Sequence, residues 1–147
     1  MLDLTVESKS RRLIRSDRGF TLVELLVVVV IIGIIAAIAA PIFLNQRKKA
    51  VDATMKVDLR QVASAEETYF VDYQQYNPLG GAAPNYTLGS GVSQVQVLTS
   101  SGNTLTVTPN AYGAGTYCVA ATNGNGSQIW IYKSTGGGTQ SLGTTSC

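Results

Sequence analysis

The chain has no histidine, only two cysteines, and charged residues make up just 14% of its 147 positions. Beyond Asp72 the only charged side chain is Lys133. The C-terminal half therefore lacks a carboxylate pair for acid–base chemistry and any histidine-activated serine or cysteine nucleophile. It also offers too few side-chain ligands for zinc or calcium, and no basic surface for nucleic acid. These absences argue against an enzyme, and we predict neither a cofactor nor a metal site.

A long apolar segment dominates the N-terminal half. The 20 residues from Leu25 to Leu44 carry no charge. As a helix they would extend roughly 30 Å, enough to cross the hydrocarbon core of a bilayer. Glu24 lies at the start of this segment, where a charge costs a few kcal/mol in lipid. It is therefore a functional candidate that needs a partner. The alternative is that it lies at the level of the lipid headgroups and has no specific role.

The residues Gly19-Phe20-Thr21-Leu22-Val23-Glu24 resemble the processing site of type IV prepilins. In that family a dedicated peptidase cuts after the glycine and methylates the new N-terminal phenylalanine. The resemblance implies that residues 1–19 are a cytoplasmic leader that is removed, with cleavage between Gly19 and Phe20 and N-methylation of Phe20. It is specific from Gly19 to about Ala50, and beyond that it concerns only the general plan.

Other export signals are the alternative for the N-terminal segment. Arg11-Arg12 partly fits a twin-arginine signal, and Ala37-Ile38-Ala39 fits a secretory cleavage site. Against both, the apolar run exceeds the usual h-region of about 7–15 residues, and Glu24 interrupts it. Five basic residues precede the run and five follow it nearby, so charge does not fix the orientation. The resemblance implies that the leader faces the cytoplasm and residues 77–147, the head, face outward.

One helix is predicted from Phe20 to about Tyr73, with residues 20–44 as the membrane-spanning and assembly segment and residues 45–76 as its amphipathic continuation. Gly33 and Pro41 match a glycine and a proline in the family pattern and mark the weakest part of the helix. We expect this part to stay helical in lipid, where an unmade backbone bond costs several kcal/mol, and to lose regular hydrogen bonding in a filament.

The amphipathic part has two faces. Lys48, Asp52, Lys56 and Arg60 share one face, where pairs four residues apart are expected to interact. The other face is an apolar stripe with spacings of three or four residues, or sums of these. Its members are Val51, Met55, Leu59, Val62, Tyr69 and Tyr73.

The fold class predicted is α+β, with the apolar stripe packed on one small antiparallel sheet. Residues 77–91 are interpreted as a loop and the Gly/Ser/Thr-rich stretch 134–147 as a tail. Cys118 and Cys147 are an even pair, which in an exported domain indicates a disulfide; two unrelated buried thiols are the alternative. Alternating apolar residues predict four strands in a meander, at 92–99, 103–108, 116–121 and 128–133.

The resemblance implies a structural subunit of an extracellular type IV pilus-like filament, used in adhesion, motility, DNA uptake or secretion. The precursor would be a single-pass protein of the cytoplasmic membrane, in contact with lipid, and the mature subunit part of a helical homopolymer on the cell surface. Its partners would be the prepilin peptidase and methyltransferase, an inner-membrane assembly platform and its ATPase. Nucleic acid would be involved only indirectly, through DNA uptake.

In the filament, the resemblance implies that Glu24 of one subunit pairs with the Phe20 amine of its neighbour. A pair within one chain is the competing possibility.

Two other functions stay open. A pseudopilin of a type II secretion or competence system has a similar helix, although the major secretion pseudopilins carry acidic calcium ligands that this head lacks. A single-pass surface binding protein that never polymerises is the third.

Overall fold

The computed structural model describes residues 19–91, 94–111, 113–136, 138–141 and 147. The chain divides into two compact units, Met1–Ala39 and Ala40–Cys147. The predicted α+β class is confirmed, with one long helix followed by short antiparallel strands. The elements are α1 (Leu22–Tyr73), β1 (Leu79–Ala82), β2 (Asn85–Leu88), β3 (Val95–Leu98), β4 (Thr104–Pro109), β5 (Tyr117–Thr122), β6 (Trp130–Lys133) and β7 (Thr139–Ser141).

The first half of α1 is a bare apolar helix. Every described residue from Gly19 to Ala50 is exposed. By length and composition, α1 is long and apolar enough to cross a membrane. The helix runs through both Gly33 and Pro41. That it stays helical in lipid remains a prediction. The predicted loss of helical hydrogen bonds in a filament stays a prediction.

The core of the second unit forms between α1 and the strands. On the predicted apolar stripe, Met55, Leu59, Val62 and Tyr69 are buried, while Tyr73 remains 43% exposed. Tyr73 is the last residue of α1, and its ring lies against that of Tyr69, with 4.5 Å between the centroids. The strands contribute Tyr86, Leu88, Val97, Leu105, Val107, Tyr117, Val119 and Ala121 to the same cluster.

The strands form two sheets rather than the one that was predicted. The orders are β1-β2-β3 and β4-β5-β6-β7, and all pairs are antiparallel. A four-stranded meander is present, but its members are β4 to β7, and the predicted first strand joins the other sheet as β3. Val92 of that predicted strand lies outside the described residues. The interpretation of residues 134–147 as a strandless tail was also wrong, because β7 pairs with β6 there.

The interpretation of residues 77–91 as a loop was wrong because β1 and β2 lie within it. Pro78, Gly80 and Gly81 suggested a loop, but glycine also permits close strand pairing. Gly81 has a φ of +84°, and a Cβ there would lie 2.7 Å from the Asn85 carbonyl oxygen. Tyr86 occupies a buried position in the alternating pattern of β2, the central strand of its sheet.

One member of the predicted charged face, Asp52, also bonds to the head. This residue is only 6% exposed, and its carboxylate accepts hydrogen bonds from the Ser127 backbone N–H, at 2.8 Å, and from the Ser127 hydroxyl. Burial opposes ionisation, but these bonds hold the pKa of Asp52 below its usual value. Lys56 lies over the Trp130 ring, with Nζ 3.6 Å from its centroid. Sequence spacing identified the neighbours on the helix but not the strands that cover them.

Candidate processing and assembly site

The start of α1 is fixed by a reciprocal pair of hydrogen bonds between Thr21 and Glu24. The Thr21 hydroxyl accepts from the Glu24 backbone N–H at 3.2 Å, and Glu24 Oε2 accepts from the Thr21 backbone N–H at 2.9 Å. The Thr21 hydroxyl also donates to Oε2 at 2.9 Å. This is a capping box, in which Thr-x-x-Glu satisfies helix donors that have no intrahelical acceptor. The helix therefore begins within two residues of the predicted cleavage point.

Sequence reasoning missed the role of Thr21, although the Thr-x-x-Glu spacing is a recognised signal for it. The structure brings Glu24 to Thr21 of its own chain. The hydrogen bonds described for this carboxylate all fall on Oε2. Glu24 is an exposed residue, and its bonds to Thr21 orient the carboxylate. Oε1 is therefore a candidate acceptor for a group from outside the chain.

The predicted cleavage residues lie just before this cap. Phe20 is 83% exposed, and a Cβ added at Gly19 would have no atom within 4 Å. Both sides of the bond between them are therefore open to another protein. The rest of the predicted leader, residues 1–18, lies outside the described residues.

The apolar surface that continues from Phe20 is unusually large for one chain. Large exposed apolar patches on soluble monomers mark contacts with membrane or protein. This one runs along the helix through 16 aliphatic and aromatic side chains that are each about half exposed or more. They are Leu22, Val23, Leu25, Leu26, Val27, Val28, Val29, Val30, Ile31, Ile32, Ile34, Ile35, Ile38, Ile42, Phe43 and Leu44.

The remaining predicted site residues lie apart from this group. Cys118 and Cys147 form a disulfide with a sequence separation of 29 residues, which ties the C-terminal residue to β5. Gly33 and Pro41 are interior positions of α1. Within the described parts of the chain, no three His, Cys, Asp or Glu side chains are grouped so as to hold a metal ion.

Buried carboxylates on α1 are the functional feature that the sequence analysis did not identify. Asp58 is 2% exposed and accepts from the Ser100 backbone N–H at 2.9 Å and from Asn103 Nδ2 at 2.6 Å. Asn103 Oδ1 accepts in turn from Asn123 Nδ2 at 2.7 Å. Asp58 thereby holds two strand connections on the helix. Its long-range partners are 42 or more residues away, so no local spacing could have indicated them.

Glu66 is the third buried carboxylate and has no exposed surface. Its Oε2 accepts from the Asn77 backbone N–H at 3.2 Å, whereas Oε1 has no hydrogen-bond partner. Burial raises the pKa of Glu66 to about 7, the Asn77 bond opposes this, and nearby Glu67 adds to it. This carboxyl group ties the end of α1 to the segment that leads into β1.

Comparison with known proteins identifies first a short N-terminal motif and then most of the chain. A family model described as the prokaryotic N-terminal methylation motif matches residues 14–40. The type II secretion system core protein G of Pseudomonas aeruginosa is 39% identical over 62 residues, which is 42% of this chain and 44% of that protein. The type IV major pilin protein PilA of Myxococcus xanthus is 39% identical over 61 residues, and this match covers only 28% of its length.

A longer match extends into the head. The type IV wide pilus major component PilA4 of Thermus thermophilus is 32% identical over 117 residues, covering 80% of this chain and 81% of that protein. The similarity therefore includes the strands as well as the apolar helix. The processing motif, the exposed apolar helix and this similarity together show that the chain belongs to the type IV pilin family.

Proposed function

We propose that this chain is the precursor of a filament-forming structural subunit and has no catalytic role. The observation that supports this best is the contrast within α1. One half packs on the strands of the head, while the other half is apolar and uncovered from Leu22 to Leu44. Such a surface is stable in lipid or against copies of itself. Transfer between these two surroundings changes its apolar contacts little, because helices in a membrane and in a packed bundle meet similar neighbours.

The proposed sequence of events begins in the cytoplasmic membrane, where residues 20–44 anchor the precursor. A prepilin peptidase removes residues 1–19, and the new Phe20 amine is methylated. An assembly platform with its ATPase then moves the subunit into a helical filament on the cell surface. Contacts between different faces of identical subunits do not close into a ring, so they generate such a polymer.

Glu24 is proposed to set the register of that polymer. Its Oε2 accepts hydrogen bonds from Thr21, and the residue is exposed at the start of the helix. Cleavage creates a positive amine on Phe20, and a low-dielectric core penalises either charge if it stays unpaired. The amine of a neighbouring subunit is the partner that removes both penalties. In this arrangement the capping box orients the carboxylate, and the neighbour's amine binds its free oxygen.

The processing step is tested with Gly19→Val and the matched control Gly33→Val. Because valine adds bulk beside the scissile bond, Gly19→Val is expected to leave uncut precursor in the membrane. Gly33→Val, where the open side of the helix meets no atom within 4 Å, should be cut normally. N-terminal sequencing of mature protein should begin at Phe20. A mature chain beginning at Ala40 or Pro41 would instead identify a secretory signal and contradict the proposal.

The role of Glu24 is tested with Glu24→Gln and Glu24→Val in a strain that has no other source of this subunit. Glutamine keeps the capping box but removes the charge, whereas valine removes both. Both variants should insert and be cut, and both should yield few filaments by electron microscopy of sheared cells. Normal filament yield from Glu24→Gln would show that the carboxylate acts only as a cap.

A pseudopilin is the second candidate, because the secretion protein of Pseudomonas aeruginosa matches 62 residues of the chain. That match covers 42% of the chain, against 80% for the wide pilus component. Mass spectrometry of sheared surface filaments separates the two. Recovery of this subunit from long filaments supports a pilin, and its restriction to the membrane fraction of a secreting strain supports a pseudopilin.

A further inference from the structure

Three cationic residues directly follow the apolar run, and the acidic residues that come next along α1 are buried. Arg47, Lys48 and Lys49 are all exposed. The next two carboxylates along α1, Asp52 and Asp58, are buried and accept hydrogen bonds from the strand connections of the head. Positive charge therefore remains at the surface on this part of the helix.

Two of these cations line a cavity of about 360 Å³. Pro41 and Leu44 form its apolar side, and Arg47 and Lys48 its cationic side. Gly124 and Asn125, from the connection between β5 and β6, also line it. None of its lining residues is acidic. A ligand that fits must combine an apolar part with a negative charge.

The connection that borders the cavity is fixed on the helix. Asn125 donates its backbone N–H to Asn123 Oδ1 at 2.9 Å, and Asn123 belongs to the network that ends on Asp58. Two residues further, Ser127 is held by Asp52. Gly126 lies so close to α1 that a Cβ there would be 2.7 Å from Met55 Cε. The cavity is thus bounded by two elements that buried carboxylates hold together.

We propose that this cavity binds the phosphate-bearing headgroup of an anionic phospholipid while the subunit is in the membrane. The inference rests on the proposed function, since it needs residues 20–44 to lie in the bilayer. If Leu44 marks the end of the apolar span, Arg47 and Lys48 follow by about 4.5 and 6 Å along the helix axis, at the level of the headgroups. Pro41 and Leu44 contact the first carbons of an acyl chain, and the two cations contact the phosphate. Clusters of Lys and Arg beside a span attract anionic lipids in this way.

The test uses the full-length precursor in nanodiscs of phosphatidylcholine with a minor fraction of phosphatidylglycerol. Native mass spectrometry counts the lipids that stay bound after the protein is released. The wild type should retain one phosphatidylglycerol in preference to phosphatidylcholine. Arg47→Gln and Lys48→Gln should each reduce this retention about fivefold, and both together about 25-fold. Both residues are exposed, and an unchanged circular dichroism spectrum verifies that the head is folded.

Lys49→Gln is the matched control, because it removes the same charge from the adjacent residue but does not line the cavity. It should retain the lipid as the wild type does. Equal losses in all three single variants would show diffuse attraction and overturn the proposal, as would equal retention of the two lipids. Displacement of the lipid by millimolar inorganic phosphate would assign the site to free phosphate instead. Failure of the precursor to insert would contradict the proposed function, whereas insertion without lipid preference overturns only this inference.

Discussion

The two halves of α1 show opposite relations between hydrophobicity and burial. From Leu22 to Leu44 nearly every residue is apolar, and every one is exposed. Further along, the helix buries three carboxylates, Asp52, Asp58 and Glu66, together with the core side chains beside them. Burial requires a covering surface, and the strands provide one only for the second half. The second half of α1 therefore has its covering surface within the chain, whereas the first half needs one from outside the chain.

A matched pair of leucine substitutions gives the largest expected effect. Leu59 is fully buried and Leu26 is 53% exposed. Leu59→Ala should lower the free energy of unfolding of the head by about 4 kcal/mol, within the usual range of about 2–5, because it leaves a cavity. Leu26→Ala should leave it unchanged. Urea titration of the detergent-solubilised chain, followed by the fluorescence of the single tryptophan, Trp130, measures both. Equal losses of unfolding free energy in the two variants would contradict the difference between the two halves of α1.

The disulfide tests whether the head is stable without outside help. Cys147→Ser opens a loop with a sequence separation of 29 residues. In the chain-entropy model this lowers the free energy of unfolding by roughly 3–4 kcal/mol, because the unfolded chain gains freedom. The same urea titration detects the loss, and dithiothreitol added to the wild type should reproduce it. Filament yield should fall through instability of the head, while cleavage after Gly19 stays normal. Peptide mapping that finds both thiols free in exported wild-type protein would contradict the prediction.

Glu66, in the covered half of α1, makes the stability of the head depend on pH. Its pKa is about 7 in the folded chain and has the ordinary value of 4.5 when unfolded. The stabilising contribution of the neutral group is complete below pH 4.5 and is lost as pH rises to about 7, because the unfolded chain releases its proton first. This loss reaches about 3 kcal/mol. Glu66→Gln should remove this dependence and exceed the wild type in stability at pH 8. The exposed Asp72→Asn serves as the control, and urea midpoints between pH 4 and 8 provide the measurement.

The smallest expected effect comes from the edge of the covered half. Lys56→Met removes the cation over the Trp130 ring but keeps an unbranched chain of similar length. A cation–π contact at a partly exposed site contributes about 0.5–1 kcal/mol, so the head should lose about that much stability. Arg60→Met, at an exposed position on the same helix, is the control. A loss above about 2 kcal/mol would indicate that Lys56 also neutralises the buried Asp52.

Local sequence patterns predicted the N-terminal half well. The apolar run, the helix to Tyr73 and the buried positions Met55, Leu59 and Val62 follow from composition and from the 3.6-residue period, which act between close neighbours on one chain. The processing motif followed from resemblance alone. The spacing of Thr21 and Glu24 also predicts a capping box, but the sequence analysis did not identify it.

Only the tertiary structure determined the strand pairing of the head and the hydrogen-bond partners of the acidic side chains on α1. Strands β1 and β2 lie among glycines and a proline. β1 pairs with β2 and β2 with β3, and this pairing stabilises them in place of local propensity. Asp52 and Asp58 look like surface residues in the helical repeat, but they accept hydrogen bonds from Ser127, Ser100 and Asn103. Those partners are 42 to 75 residues away, and only the folded chain brings them within hydrogen-bonding distance.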